Sequence, residues 1–111
     1  MIAEENSEYA VAQLEGGSSV AKKVADELRV RHIFCDPDRD ERQAAIIQTN
    51  PERETVWMQR VRSSYKKDGS IIFICGADHS LSFGALLDRN GLHAQIYCQD
   101  WMIREEMGNQ C

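Results

Sequence analysis

With 111 residues, 42% apolar and 28% charged, the chain has the make-up of one soluble globular domain with a modest core, which sets the disordered and fibrous classes aside. Eighteen acidic residues against thirteen basic give a net charge of −5, which argues against non-specific nucleic-acid or anionic-membrane binding, since both need a positive field. No window approaches the ~18 apolar residues of a membrane span, and MIAEENSEY has neither a basic nor an apolar leader segment, so a cytoplasmic location is expected.

Cys35, Cys75, Cys98 and Cys111 form no CxxC pair and no zinc-ribbon spacing. In a reducing compartment they read as structural thiols without disulfides. Ile2 and Ala3 can be the end of a first strand, with Glu4 and Glu5 following it. Helix formers run from Ser7 to Glu15, and Gly16-Gly17 end them. Ser18 or Ser19 caps a second helix, with Val20, Val24 and Leu28 on one face and Lys22, Lys23, Asp26 and Glu27 on the other.

VRHIFC (30–35) predicts a short buried strand, broken by Asp36-Pro37. The stretch 38–49 is charge-rich and hard to assign, with a helical turn or two expected over Asp38 to Ala45. Asn50-Pro51 predicts the start of a long helix reaching about Lys67, because Asn caps well and Pro suits the first helical position. Its apolar stripe is Trp57, Val61 and Tyr65, and Asp68-Gly69 ends it.

Ser70 to Cys75 is the clearest strand, and Gly76 turns it into a helix expected from about His79 or Ser80 to Asn90-Gly91. Leu92 to Cys98 alternates in polarity and predicts an edge strand, and a short helix is expected from Asp100. Strands separated by single helices pair in parallel through right-handed crossovers. The expected fold is therefore a small three-layer α/β/α sandwich over 1–111, a single α/β domain with a mostly parallel sheet of three or four strands. So narrow a sheet predicts uncovered apolar surface and hence a homo-oligomer.

A parallel sheet gathers polar residues at its carboxyl edge, where ligands bind. Asp36, Asp38 and Arg39, then Asp78 and His79, then Gln99 and Asp100 are the expected occupants, with Glu4 and Glu5 reaching the same edge. A His among carboxylates suits a divalent cation such as Zn, Mn or Fe. His79, Asp36 and Glu5 are the candidate metal ligands. The plainer reading is that Asp78 or Ser80 caps a helix and His79 is half-buried beside it. Arg53 in a first helical turn opposes the helix dipole, which hints at an anionic neighbour; an exposed ion pair is the plainer alternative.

Arg53-Glu54, an apolar strand ending in Gly76-Ala77-Asp78-His79, then Leu86-Leu87 and Gly91, together resemble the TraB/Tiki and erythromycin-esterase-like group over roughly Pro51 to Cys98. That resemblance implies that His79 is a metal ligand or catalytic base and that Arg53 and Glu54 support an acyl- or peptide-hydrolysing site. The group's second glycine-histidine motif has no counterpart in these 111 residues. Two functions are expected on these grounds. One is metal-assisted hydrolysis of a small ester, amide or peptide, with His79, Arg53 and Glu54 as the catalytic set. The other is a non-catalytic, oligomeric module that binds a small-molecule ligand.

Overall fold

The computed structural model describes residues 1–67 and 69–99, together with the backbone of 102–104 and 108–110. Two compact units divide the chain, Met1–Cys75 and Gly76–Cys111. The first is a small α/β fold: β1 (Ile2–Glu4), α1 (Glu8–Ala12), a 3₁₀ turn (Glu15–Gly17), α2 (Val20–Leu28), β2 (His32–Phe34), α3 (Arg39–Ala45), α4 (Asn50–Ser64) and β3 (Ile72–Ile74). Its strands form an all-parallel sheet in the order β2-β1-β3, so the short opening segment Ile2–Glu4 is the central strand.

Register decides which side chains share a face. Ile2, His32 and Ile72 align, as do Ala3, Ile33 and Phe73, and then Glu4, Phe34 and Ile74. Strand side chains alternate, so Ile2 and Glu4 look to one face and Ala3 to the other. On the first face Ile2 packs with Ala21 and Ala25 of α2. On the second, the fully buried Trp57 of α4 lies 5.5 Å from Phe73, ring centre to ring centre. Helices on both faces of a parallel sheet are the expected three layers.

Local chemistry accounts for the helix starts. Ser19 caps α2 by accepting from the Lys22 amide. Asp38 with Glu41, and Thr49 with Glu52, form capping boxes that start α3 and α4. The cap of α4 is thus Thr49, one residue before the expected Asn50. Tyr65, expected on the buried stripe of α4, is its C-cap and is exposed. A larger difference concerns α2, whose buried face is Ala21 and Ala25, while Val20, Val24 and Leu28 are exposed. Ala permits the helix to lie close on β1, whereas Val20 and Val24, about 100° back around the helix, cannot face the sheet at the same time.

In the second unit, α5 (Ala77–Arg89) begins directly after Gly76, two residues earlier than expected. No side chain caps it, so the reading of Asp78 or Ser80 as a cap does not hold: Ser80 Oγ donates to the Ala77 carbonyl and Asp78 is an exposed first-turn residue. Leu92 to Cys98 is irregular instead of a strand. The Asp88 carboxylate accepts from the Ala94 amide at 2.7 Å and folds this segment back on the helix end. A helix from Asp100 is not formed at 102–104, where β4 (Met102–Arg104) pairs antiparallel with β5 (Gly108–Gln110). Asp68, Asp100 and Trp101 lie outside the described residues. Cys98 is disulfide-bonded, contrary to the expectation of thiols throughout. Among the described residues no helix is long and apolar enough to cross a membrane.

Helix α2 ends at Arg29 with φ +55°, ψ +41°, a left-handed conformation in which a Cβ is strained. Arg29→Gly is expected to stabilise the fold by about 1 kcal/mol, measured as a higher urea midpoint at unchanged slope.

Candidate functional site

Three strand ends bring the site together. Glu5 leaves β1 with its amide donating to the Ile74 carbonyl at 2.8 Å, so it sits beside β3. Asp36 follows β2, its amide donating to the Asn6 carbonyl at 3.1 Å. Cys75 follows β3. The first turn of α4 then lowers Arg53 onto this edge. Arg53 Nη2 donates to Glu5 Oε2 at 2.8 Å, Nε to Asp36 Oδ1 at 3.0 Å, and Nη1 to Asn50 Oδ1 at 3.2 Å. The expectation of an anionic neighbour for Arg53 is met twice over.

Asp36 is buried and its oxygens are well supplied with donors. Oδ1 also accepts from the Trp57 indole at 2.8 Å, and Oδ2 accepts from Arg42. Arg60 donates to the Asp36 carbonyl at 3.1 Å and pairs with Glu41. The Arg53 guanidinium lies 5.4 Å from the Trp57 ring centre, within cation-π reach. Burial opposes its charge, but the hydrogen bonds and charges of Asp36 and Glu5 outweigh that and raise its pKa.

Glu54, the residue after Arg53, is buried. Its charge and that of Glu5 both act on the Cys75 thiol, which burial first of all, and then these two carboxylates, push up to about 11. Cys35 is pushed up to about 12, chiefly by burial, with Arg60 acting in the opposite sense. Both thiols are therefore protonated at neutral pH, which does not favour a cysteine nucleophile.

A second buried network lies on the α2 face. Glu4 Oε2 accepts from Ser19 Oγ at 2.6 Å and pairs with His32 Nε2 at 2.6 Å, and Oε1 accepts from Asn6 at 2.6 Å. This fastens the N-terminus of α2 to the central strand and to β2. Sequence reasoning gave His32 no role, although its alternation with Phe34 in a short strand places it on the face of Glu4. Arg42 was hidden in the hard-to-assign stretch.

The structure thus brings Glu5, Asp36 and Arg53 into direct contact, with Glu54 close to the Glu5 end. His79 belongs to the second unit, where it is buried in the first turn of α5 and its amide donates to the Gly76 carbonyl at 3.0 Å. Among the described residues no group of three or more His, Cys, Asp or Glu is arranged to hold a metal ion. The Asp36 oxygens instead face N–H donors of Arg53, Trp57 and Arg42, a set that suits no cation. A cavity of about 330 Å³ lined by Ile33, Phe34, Gln59, Arg60, Ser63 and Ser64 faces the far half of α4 and brings no pair of ionisable groups together.

Two outcomes test this geometry. Arg53→Met is expected to destabilise the fold by about 2 kcal/mol, because it strands two carboxylates. A double-mutant cycle with Asp36→Asn should show a coupling of about 1 kcal/mol or more in urea unfolding. Above pH 9.0, the usual thiol value, the unfolded chain releases thiol protons that the folded chain retains. The stability supplied by the protonated thiols is thus whole below that pH and is lost as pH rises toward 11 and 12. A Cys35→Ala, Cys75→Ala variant should show a shallower alkaline decline in denaturation midpoint than the parent.

Compared with protein-family models, with curated proteins and with solved structures, the chain finds no match.

Proposed function

We propose that the chain binds a small polar molecule at the carboxyl edge of its parallel sheet, beside the ends of β1 and β3. The observation that carries this reading is the gathering of Glu5 and Glu54 around Cys75, beside a guanidinium braced by Glu5 and Asp36. The strand order β2-β1-β3 reverses its direction of growth between β1 and β3, and open α/β sheets bind ligands at such a switch point. Polar groups already held by partners need little reorganisation when a ligand arrives. The chemistry that fits is a molecule with a cationic or hydrogen-bond-donating group for the carboxylates and an acceptor for Arg53.

Hydrolysis of a small ester, amide or peptide at the same edge is the second reading. It is favoured by two carboxylates, Glu5 and Glu54, acting on one thiol, since carboxylates gathered at one site are the usual groups for proton transfer. In it Arg53 steadies the developing anion. Metal assistance by Asp36 has no part in it, because the Asp36 oxygens face only cationic and N–H donors. We also propose that the chain works as an assembly of identical copies, since β3 leaves apolar side chains uncovered.

A thermal-shift screen of metabolites, with and without Mn or Zn, tests the binding reading. A ligand at ~100 times its Kd should add about 2.7 kcal/mol of stability, and Glu54→Gln should abolish the shift while remaining folded. A screen in which nothing stabilises the parent, or in which Glu54→Gln responds equally, rejects that site. For hydrolysis, Glu54→Gln should lower turnover of a chromogenic ester or peptide by roughly 100-fold; turnover equal to the parent's rejects the catalytic reading.

A further inference from the structure

The strand register also builds the opposite edge of the sheet. Ile2, His32 and Ile72 align, so the residues just before them, Met1, Arg31 and Ile71, lie side by side at the amino edge. Two hydrogen bonds hold this row: the Ile2 amide donates to the Arg31 carbonyl at 2.9 Å, and the Ile72 amide to the Met1 carbonyl at 3.0 Å. Helix α4 ends here at Ser64, and the return to β3 brings Lys66, Gly69 and Ser70 to the same place. A cavity of about 260 Å³ results, with Arg31, Ser64, Lys66, Gly69, Ser70 and Ile71 in its lining.

The two edges differ in charge. At the carboxyl edge Arg42 and Arg53 are paired with Asp36 and Glu5. At the amino edge neither Arg31 nor Lys66 forms an ion pair among the described residues, and both are exposed. Arg31 Nη2 donates to the Ser64 carbonyl at 2.7 Å, which pins the guanidinium at the end of α4. Its Nε and Nη1, and the Lys66 ammonium, make no hydrogen bond among the described residues. Cations beside a helix C-terminus offset its dipole, and the bond from Arg31 to Ser64 does so. Lys66 lies two residues beyond the helix and bonds none of its carbonyls, so the dipole does not account for it.

We propose that this cavity binds the phosphate group of a small molecule. An arginine presents its N–H groups in a planar fork that matches phosphate oxygens, and a lysine adds a point charge. Arg31 and Lys66 supply one of each, and the Ser64 and Ser70 hydroxyls, which bond nothing else among the described residues, add two further donors. Two cations suit a doubly charged phosphate better than a carboxylate with its single charge. Size and charge both favour a small ligand. The volume falls just below the range of about 300–1,000 Å³ that drug-sized ligands occupy, and a long polyanion is repelled by a chain of net charge −5. The site lies wholly in the first unit and is independent of the ligand proposed at the carboxyl edge.

The test is a titration of the full chain with inorganic phosphate, against chloride at matched ionic strength, followed by amide proton–nitrogen correlation spectra and by Tm. Saturable shifts are expected at the amides of Arg31, Ser64, Lys66, Gly69 and Ser70, with a rise in Tm that chloride does not produce. Arg31→Gln and Lys66→Gln should each weaken phosphate binding by roughly tenfold. Lys23→Gln, which removes an exposed lysine of α2, should bind as the parent does. Lys66→Gln alters an exposed side chain that bonds nothing among the described residues, so it carries the test even where Arg31→Gln fails to fold. A parent that responds to phosphate only as it does to chloride overturns the proposal, as does full binding by Lys66→Gln or an equal loss in Lys23→Gln. Cosedimentation with phosphatidylcholine vesicles containing phosphatidic acid, without a response to inorganic phosphate, overturns the small-molecule source in favour of a lipid headgroup.

Discussion

A carboxylate removed from water must be surrounded by donors, and Asp36 is the place where this chain meets that demand. Its donors come from α3, through Arg42, and from α4, through Arg53 and Trp57. Its own backbone is tied to the segment after β1. One side chain therefore decides how two helices seat on the carboxyl edge. Such a network stands or falls together, because a partly satisfied buried charge is worse than an apolar replacement. Helix α3 buries no residue of its own, so its attachment depends on polar bonds of this kind rather than on a core face.

The dipeptide Glu4-Glu5 shows how a pleated strand serves two networks at once. Side chains alternate along the central strand, so Glu4 goes under the N-terminus of α2 and meets Ser19 and His32, while Glu5 goes to Arg53 at the start of α4. Each face of the sheet is fastened to its helix layer by one of these glutamates. Two acidic neighbours at the end of a short strand would repel if they pointed the same way. The pleat separates them, and each finds a cationic or hydroxyl partner.

Much of the charge at the edge is balanced internally, and both described free thiols are held protonated by burial. On the reading proposed above, such an edge recognises a polar molecule through groups already in place. The same narrowness that puts the switch point beside the central strand leaves β3 uncovered on the α2 face. The candidate ligand site and the candidate interface thus share one cause, a sheet of three short strands.

Much of the order of helices and strands in the first 75 residues was legible from the chain, because Ser19 and Asn50-Pro51 announce helices and short apolar runs announce strands; the helix capped by Asp38 was not, since its charge-rich stretch has no apolar stripe. Glu5, Asp36 and Arg53 could also be nominated, since a parallel sheet sends the residues after its strands to one edge. Which stripe of α2 would be buried was not decided locally. Val20, Val24 and Leu28 recur at the same spacing as Ala21 and Ala25, and only contact with β1 selects the small residues, because they let helix and strand approach. The alternation of Leu92 to Cys98 likewise marks a strand only where a neighbour completes its ladder, and there the bond from Ala94 to Asp88 holds the chain otherwise. The sequence by itself thus determined the kinds of elements and the residues at strand ends. Tertiary structure decided the facing, the partners of each charge and the uncovered flank of β3, because these depend on what lies across the sheet and not on what lies next in the chain.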